Sequence, residues 1–198
     1  MNKLELTPEV AATRQAILEA ATTLLGERDY PATSIRDIAR AVDLLPGRMY
    51  DFIENKEAIL YEIVATGINR FVSMVDAIAD DRQPPDAQLR RAIIDHVKLV
   101  SENPRAVLVV FHQWRYLGTE NRRRVIALRH RYEQFFRDTV EAGIADGLLR
   151  QDLDVQYAVF SILGALNWVP EWLTQHDPQT QNYAEKLADV LLSGVLVR

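Results

Sequence analysis

The polar residues best placed to do chemistry stand close together near the N-terminus, where Arg48, Tyr50 and Asp51 follow Pro46-Gly47 and are interleaved with apolar Met49, Phe52 and Ile53. A guanidinium can donate two hydrogen bonds to the O6 and N7 edge of guanine, and a tyrosine hydroxyl can reach a phosphate. Gly47 lets the backbone approach a groove closely. Such a set reads nucleic acid when a short helix presents it while packing its apolar side on two others. Upstream, Thr33 and Ser34 place two hydroxyls beside the backbone N–H groups that open another helix, a phosphate site that needs no net positive charge. Lys56 is positioned to bind a flanking phosphate. Catalytic groupings are missing by comparison. The four histidines at 96, 112, 130 and 176 have no paired i, i+4 spacing, and there is no HExxH motif, Gly-rich phosphate loop or GxSxG elbow. His96, next to Asp95, is expected to be a hydrogen-bonded core or surface histidine rather than half of a metal or acid-base site. No catalytic residue, metal or cofactor is expected.

The elements that must hold this set are short. Ile17, Ala20, Ala21, Leu24 and Leu25 recur at i, i+3, i+4, i+7 and i+8 and predict a helix from about Pro8 to Arg28, broken by Asp29, Tyr30 and Pro31. Ser34 with Asp37 three residues on resembles a capping box, opening a second helix striped by Ile35, Ile38, Ala39 and Val42. After a connection at Asp43, Leu44 and Leu45, a third short helix runs from Pro46, where a missing N–H is tolerated, to Ile53. Asn55 can cap a fourth, longer helix to about Asp80. Breaks at Asn103-Pro104, Leu117-Gly118-Thr119, Gly147 and His176-Asp177-Pro178 divide the remainder into about five helices, with no strand pattern.

Three stretches carry a resemblance. Ala32-Thr33-Ser34-Ile35-Arg36-Asp37-Ile38-Ala39, then Gly47-Arg48-Met49-Tyr50-Asp51-Phe52-Ile53, then Asn55-Lys56-Glu57, in this order and spacing, resemble the N-terminal signature of tetracycline-repressor-family regulators. The resemblance implies an all-α fold: an N-terminal three-helix DNA-binding domain (helix-turn-helix, residues 1–54) followed by a C-terminal helical bundle for ligand binding and dimerisation (55–198). The DNA-binding set is then Thr33, Ser34, Arg36, Leu45, Pro46, Gly47, Arg48, Tyr50, Asp51 and Lys56. Three of its features depart from the family. Asp43 stands where a turn glycine is usual, which Asp tolerates because it visits left-handed backbone more readily than most residues. Leu45 replaces a small hydroxyl cap. Asp51 would repel phosphate unless it accepts from a cytosine amine.

Beyond residue 60 the resemblance is one of helix pattern and length. Val155 to Leu173 is apolar on nearly every face, so it is expected to be buried both by its own domain and by a second copy of the chain. With the last helix, from about Gln179 to Val197, it would form the four-helix homodimer interface that the resemblance implies. That would set two reading helices about one DNA turn, ~34 Å, apart on a palindromic operator. Phe111, Trp114 and Arg115, then Tyr132 and Phe136, then Asn167, Trp168 and Trp172 have the mix of aromatic and polar groups expected of a small-molecule pocket. Pro170 frees the carbonyl of Leu166 and could kink the helix beside the tryptophans. The run Asn167-Trp168 to Trp172-Leu173 with His176-Asp177-Pro178 is similar to family members that answer to acyl-coenzyme A thioesters. For Arg122, Arg123, Arg124, Arg129, Arg131 and Arg137 a solvated helix face is favoured over an anion clamp.

Composition frames these expectations. A chain of 198 residues, 48% hydrophobic and 26% charged, can bury a core, and the lack of cysteine removes disulfides and thiol chemistry. A cytoplasmic location without membrane attachment is expected. Net charge is −5, and residues 1–60 hold seven basic and ten acidic side chains, so DNA affinity must depend on placement and on two motifs acting together. The function expected is a ligand-responsive DNA-binding regulator, a repressor released from its operator by a small, largely apolar effector such as an acyl-coenzyme A or related lipid or aromatic acid. The alternative is a helical ligand carrier or small enzyme whose N-terminal helices are only structural, separable by selection of genomic DNA with the purified protein.

Overall fold

The computed structural model describes residues 7–175 and 182–197, and within these the chain is all-α. In order come α1 (Pro8–Ala32), α2 (Ile35–Ala41), a 3-10 helix (Arg48–Asp51), α3 (Lys56–Asp80), α4 (Pro85–Glu102), α5 (Pro104–His112), a 3-10 helix (Gln113–Tyr116), α6 (Thr119–Ala145), α7 (Val155–Gln175) and α8 (Tyr183–Ser193). The only strand-like pairing among the described residues is an isolated bridge between Leu149 and Leu196. Breaks fall at Pro104, at Gly118 and at Gly147, whose φ of 72° suits a residue without Cβ. The expected break at His176-Asp177-Pro178 and the expected first turn of the last helix, Gln179 to Gln181, lie outside the described residues. The expected end of α1 at Arg28 is displaced: helical hydrogen bonding resumes after a single non-helical residue, Asp29, at φ 63° and ψ 163°.

The chain forms two compact units, one of Met1–Gly67 with Arg105–Val125, the other of Ile68–Pro104 with Ile126–Arg198. In the first, Ile17, Ala21 and Leu25 of α1 share burial with Ile38, Met49, Leu60 and Val109. Polar side chains tie its short elements together. The Gln113 amide donates to the Leu25 carbonyl at 2.7 Å and to Asp29 at 3.2 Å. Glu57 accepts from the Gly118 N–H at 3.0 Å and from the Asn121 amide at 2.8 Å, while Tyr30 stacks on Tyr116. The second unit is a bundle in which α4 packs against both α7 and α8. Helix α3 supplies residues to both units, and although it is long and apolar enough to cross a membrane, Ile59, Leu60, Val64, Phe71, Val75 and Ile78 are buried within the protein.

Candidate DNA-reading segment and effector core

Local hydrogen bonding fixes α2. The Ser34 hydroxyl accepts from the Asp37 N–H at 3.2 Å, and the Asp37 carboxylate accepts from the Ser34 N–H at 2.9 Å, completing the reciprocal box. Hydrogen bonds from Ser34 hold the Asp37 carboxyl below the usual carboxylate range. At the other end the Leu44 N–H reaches back to the Ala39 carbonyl at 2.9 Å, closing a Schellman turn with Asp43 in the left-handed position at φ 53°.

The third helical segment is a 3-10 turn over Arg48–Asp51 rather than an α-helix from Pro46 to Ile53. The Arg48 N–H bonds the Leu45 carbonyl at 2.9 Å and the Phe52 N–H bonds Met49 at 3.0 Å, both i to i+3. Met49 is fully buried and Ile53 nearly so, whereas Leu45 is 75% and Tyr50 60% exposed. Pro46, Gly47, Arg48 and Asp51 are also exposed. Arg48 and Asp51 form an ion pair of 2.7 Å.

The flanking residues behave differently from these. Thr33 is buried, its hydroxyl donating to the Asp29 carbonyl at 3.0 Å. Ser34 is exposed but serves the capping box, and Arg36 is exposed. The Lys56 ammonium donates to the carbonyls of Tyr30 and Thr33, both at 2.7 Å, and lies 4.0 Å over the Tyr30 ring. Its partial burial lowers its pKa. Lys56 therefore staples the start of α3 to the end of α1, an inward role that spacing alone could not reveal.

In the second unit, His96 is wholly buried. Its Nδ1 lies 2.7 Å from the Tyr132 hydroxyl and its Nε2 3.1 Å from the Leu166 carbonyl. A carbonyl only accepts, so Nε2 carries the proton and Nδ1 accepts from tyrosine. Pro170 leaves that carbonyl without its helical donor, and His96 takes its place. Burial pushes the His96 pKa down to about 3 and the Tyr132 pKa well up. Phe71 tilts against His96 with centroids 4.9 Å apart, and Phe136 meets Tyr132 edge-on at 5.2 Å.

Helices α3, α4 and α6 border an open cleft of about 430 Å³, lined by Val75, Ala79, Gln88, Phe135 and Thr139 and by the Arg131–Asp76 pair at 2.7 Å. Trp172 stacks on Tyr183 of α8 at 4.3 Å, Asn167 is half-buried and Trp168 is 63% exposed. Phe111, Trp114 and Arg115 belong to the first unit. There the Trp114 indole caps the Phe111 carbonyl at 3.0 Å and Arg115 donates to the His112 carbonyl. The arginine run is divided likewise. Arg124 pairs with Glu120 and Arg122 donates to the Arg115 carbonyl in one unit, while Arg131 pairs with Asp76 and Arg137 with Glu133 in the other.

Both halves of the sequence match family models: residues 17–63 that of the bacterial regulatory proteins of the tetR family, and residues 82–195, more than half the chain, that of the tetracyclin repressor-like C-terminal domain. The chain belongs to the TetR family. It is 27% identical over 185 residues to the HTH-type transcriptional repressor KstR2 of Rhodococcus jostii, covering 92% of this chain and 90% of KstR2. The TetR-family regulator PfmR of Thermus thermophilus superposes with a TM-score of 0.81 at 31% identity, covering 89% and 97% of the two chains. AibR, solved in complex with isovaleryl coenzyme A and operator DNA, gives 0.80 at 28% identity, covering 91% and 97%.

As in other TetR-family regulators, the N-terminal unit of this chain is a DNA-binding helix-turn-helix and the C-terminal part responds to ligand. Two features of this TetR chain were beyond sequence reasoning. The Arg48–Asp51 pair sits on a 3-10 turn where periodicity predicts an α-helix. The His96–Leu166 bond joins residues 70 apart, although Pro170 did signal that Leu166 needed a donor.

Proposed function

We propose that this protein is a cytoplasmic, homodimeric repressor that leaves a palindromic operator when an acyl-coenzyme A thioester, or a related lipid or aromatic acid, occupies its C-terminal domain. The observation that carries this reading is the likeness to AibR, at 28% identity over 97% of that chain, which was solved with both an acyl-coenzyme A and operator DNA. The second unit offers suitable chemistry, a buried aromatic cluster around Tyr132 and Phe136 with one polar pair, beside a cleft with apolar and amide side chains. Tyr132 and Phe136 with Asn167 and Trp172 are the effector residues of this reading. DNA contacts come from Leu45, Pro46, Gly47, Arg48, Tyr50, Asp51 and Arg36.

Trp168 fits the dimer face better. Tyr157, Phe160, Gly164 and Trp168 recur at i, i+3, i+7 and i+11 along one face of α7, with the three aromatics 70%, 73% and 63% exposed. The opposite face, with Val159, Ile162, Leu166, Val169 and Leu173, is buried in the subunit. A row of exposed aromatics on a helix whose opposite face is buried needs a partner, and Val190 of α8 is likewise 69% exposed.

Ligand can act only by preferring a conformer that binds DNA poorly. Helix α3 supplies residues to both units and is the element through which such a preference would travel. The test is thermal unfolding and operator binding measured against coenzyme A esters of graded chain length. The expected result is an ester that raises Tm by several degrees at about 100 times its Kd and releases the operator over the same concentration range. A panel that moves neither quantity overturns the proposed effector class.

A further inference from the structure

In a 3-10 helix three residues make a turn, so side chains at i and i+3 stand directly over one another. Asp51 is thereby brought over Arg48, its Oδ2 2.7 Å from Nε. The intervening Met49 is fully buried and pins the turn. The two charged side chains stay 64% and 45% exposed. An exposed pair of this kind adds little to folding stability. Its consequence is for recognition. With the carboxylate against the Nε side of the guanidinium, Nη1 and Nη2 are left as the end-on pair of donors that matches O6 and N7 of guanine. A guanidinium already restrained loses less rotamer freedom on docking. The carboxylate also offsets the arginine charge, so the pair gains little from phosphates of unrelated sequence.

We propose that Asp51 is a specificity-setting positioning residue that aims Arg48 at one G·C base pair in each operator half-site while suppressing non-specific attraction. This rests on the operator-reading function, and a selection experiment separates the two. The full-length protein, Asp51→Ala, Arg48→Ala and the double variant are each used to select from a randomised duplex library. Wild type is expected to enrich an inverted repeat with a G·C pair fixed in each half. Asp51→Ala should lower the preference at that same base pair about tenfold, with affinity for scrambled duplex unchanged or higher. Arg48→Ala should erase the preference, and the double variant should match Arg48→Ala. Melting temperatures within about 2 °C of wild type would show that the exposed substitutions leave the fold intact. The inference is overturned if Asp51→Ala keeps wild-type preferences at every position, changes a different position from Arg48→Ala, or shows costs that add in the double variant. If wild type enriches no sequence, the operator reading itself fails and this inference with it.

Discussion

At the scale of single residues, the group most consequential for stability is a buried histidine. His96 remains neutral in the folded protein, its pKa displaced from 6.5 to about 3 by burial, whereas in the unfolded chain it binds a proton below about 6.5. Below that value the unfolded state holds more protons, so stability contributed by His96 is complete above pH 6.5 and is lost as pH falls toward 3, by about 1.4 kcal/mol per pH unit. Between pH 7 and pH 5 the wild type should lose about 2 kcal/mol through this group. Denaturant unfolding at both pH values checks it, and His96→Gln, unable to titrate, should show a slope smaller by about one proton. A wild-type slope retained in His96→Gln would assign the effect to other groups. Asp43 is a second case. Its left-handed backbone was legible from Asp standing at a turn that favours glycine, and the conformation costs an L-residue energy that glycine avoids. Asp43→Gly should raise stability by about 0.5–1 kcal/mol, read as a 1–4 °C increase in Tm.

At the scale of elements, what could be read in advance followed from local rules and what could not depended on distant partners. The Ser34–Asp37 box, the Asn55 cap, whose Oδ1 accepts from Ala58 at 2.8 Å, and the interruptions at Pro104 and Gly118 are each decided within a few residues. Type and spacing were therefore sufficient. The inward bonds of Lys56 were not foreseen because its partners, the carbonyls of Tyr30 and Thr33, lie more than twenty residues upstream on a chain that bends back after Asp29. Phe111 and Trp114 fall into one compact unit and Tyr132 into the other, a division that composition does not show. Close helix packing was also invisible in sequence. At Gly67 on α3 an added Cβ would stand 2.3 Å from Val110 Cγ2 on α5, and a helical valine has essentially one χ1 rotamer with which to yield. Gly67→Ala should therefore destabilise by about 1–3 kcal/mol despite the better helix propensity of alanine. Pairing it with Val110→Ala should recover part of that loss, because the relief depends on the contact and not on the backbone.

At the scale of the whole molecule, an acidic chain binds a polyanion, and geometry must supply what net charge does not. Two reading segments held at fixed separation raise affinity without added positive charge, because the second contact becomes intramolecular once the first is made. Operator affinity should thus depend on the dimer as strongly as on Arg48. Gly164 separates these contributions. It lies in line with Tyr157, Phe160 and Trp168, and a Cβ placed there meets nothing within 4 Å in the subunit, so Gly164→Leu has room within one chain and gains helix propensity. Against a second copy the same leucine would hold two α7 helices apart. The expected outcome is a subunit at least as stable as wild type whose dimer dissociates at ten or more times lower concentration, measured by sedimentation at graded loading, with operator affinity falling in parallel. If Gly164→Leu leaves both dimerisation and DNA binding unchanged, the exposed aromatic row on α7 is not the dimer surface, and the spacing of the two reading segments must be set elsewhere in the bundle.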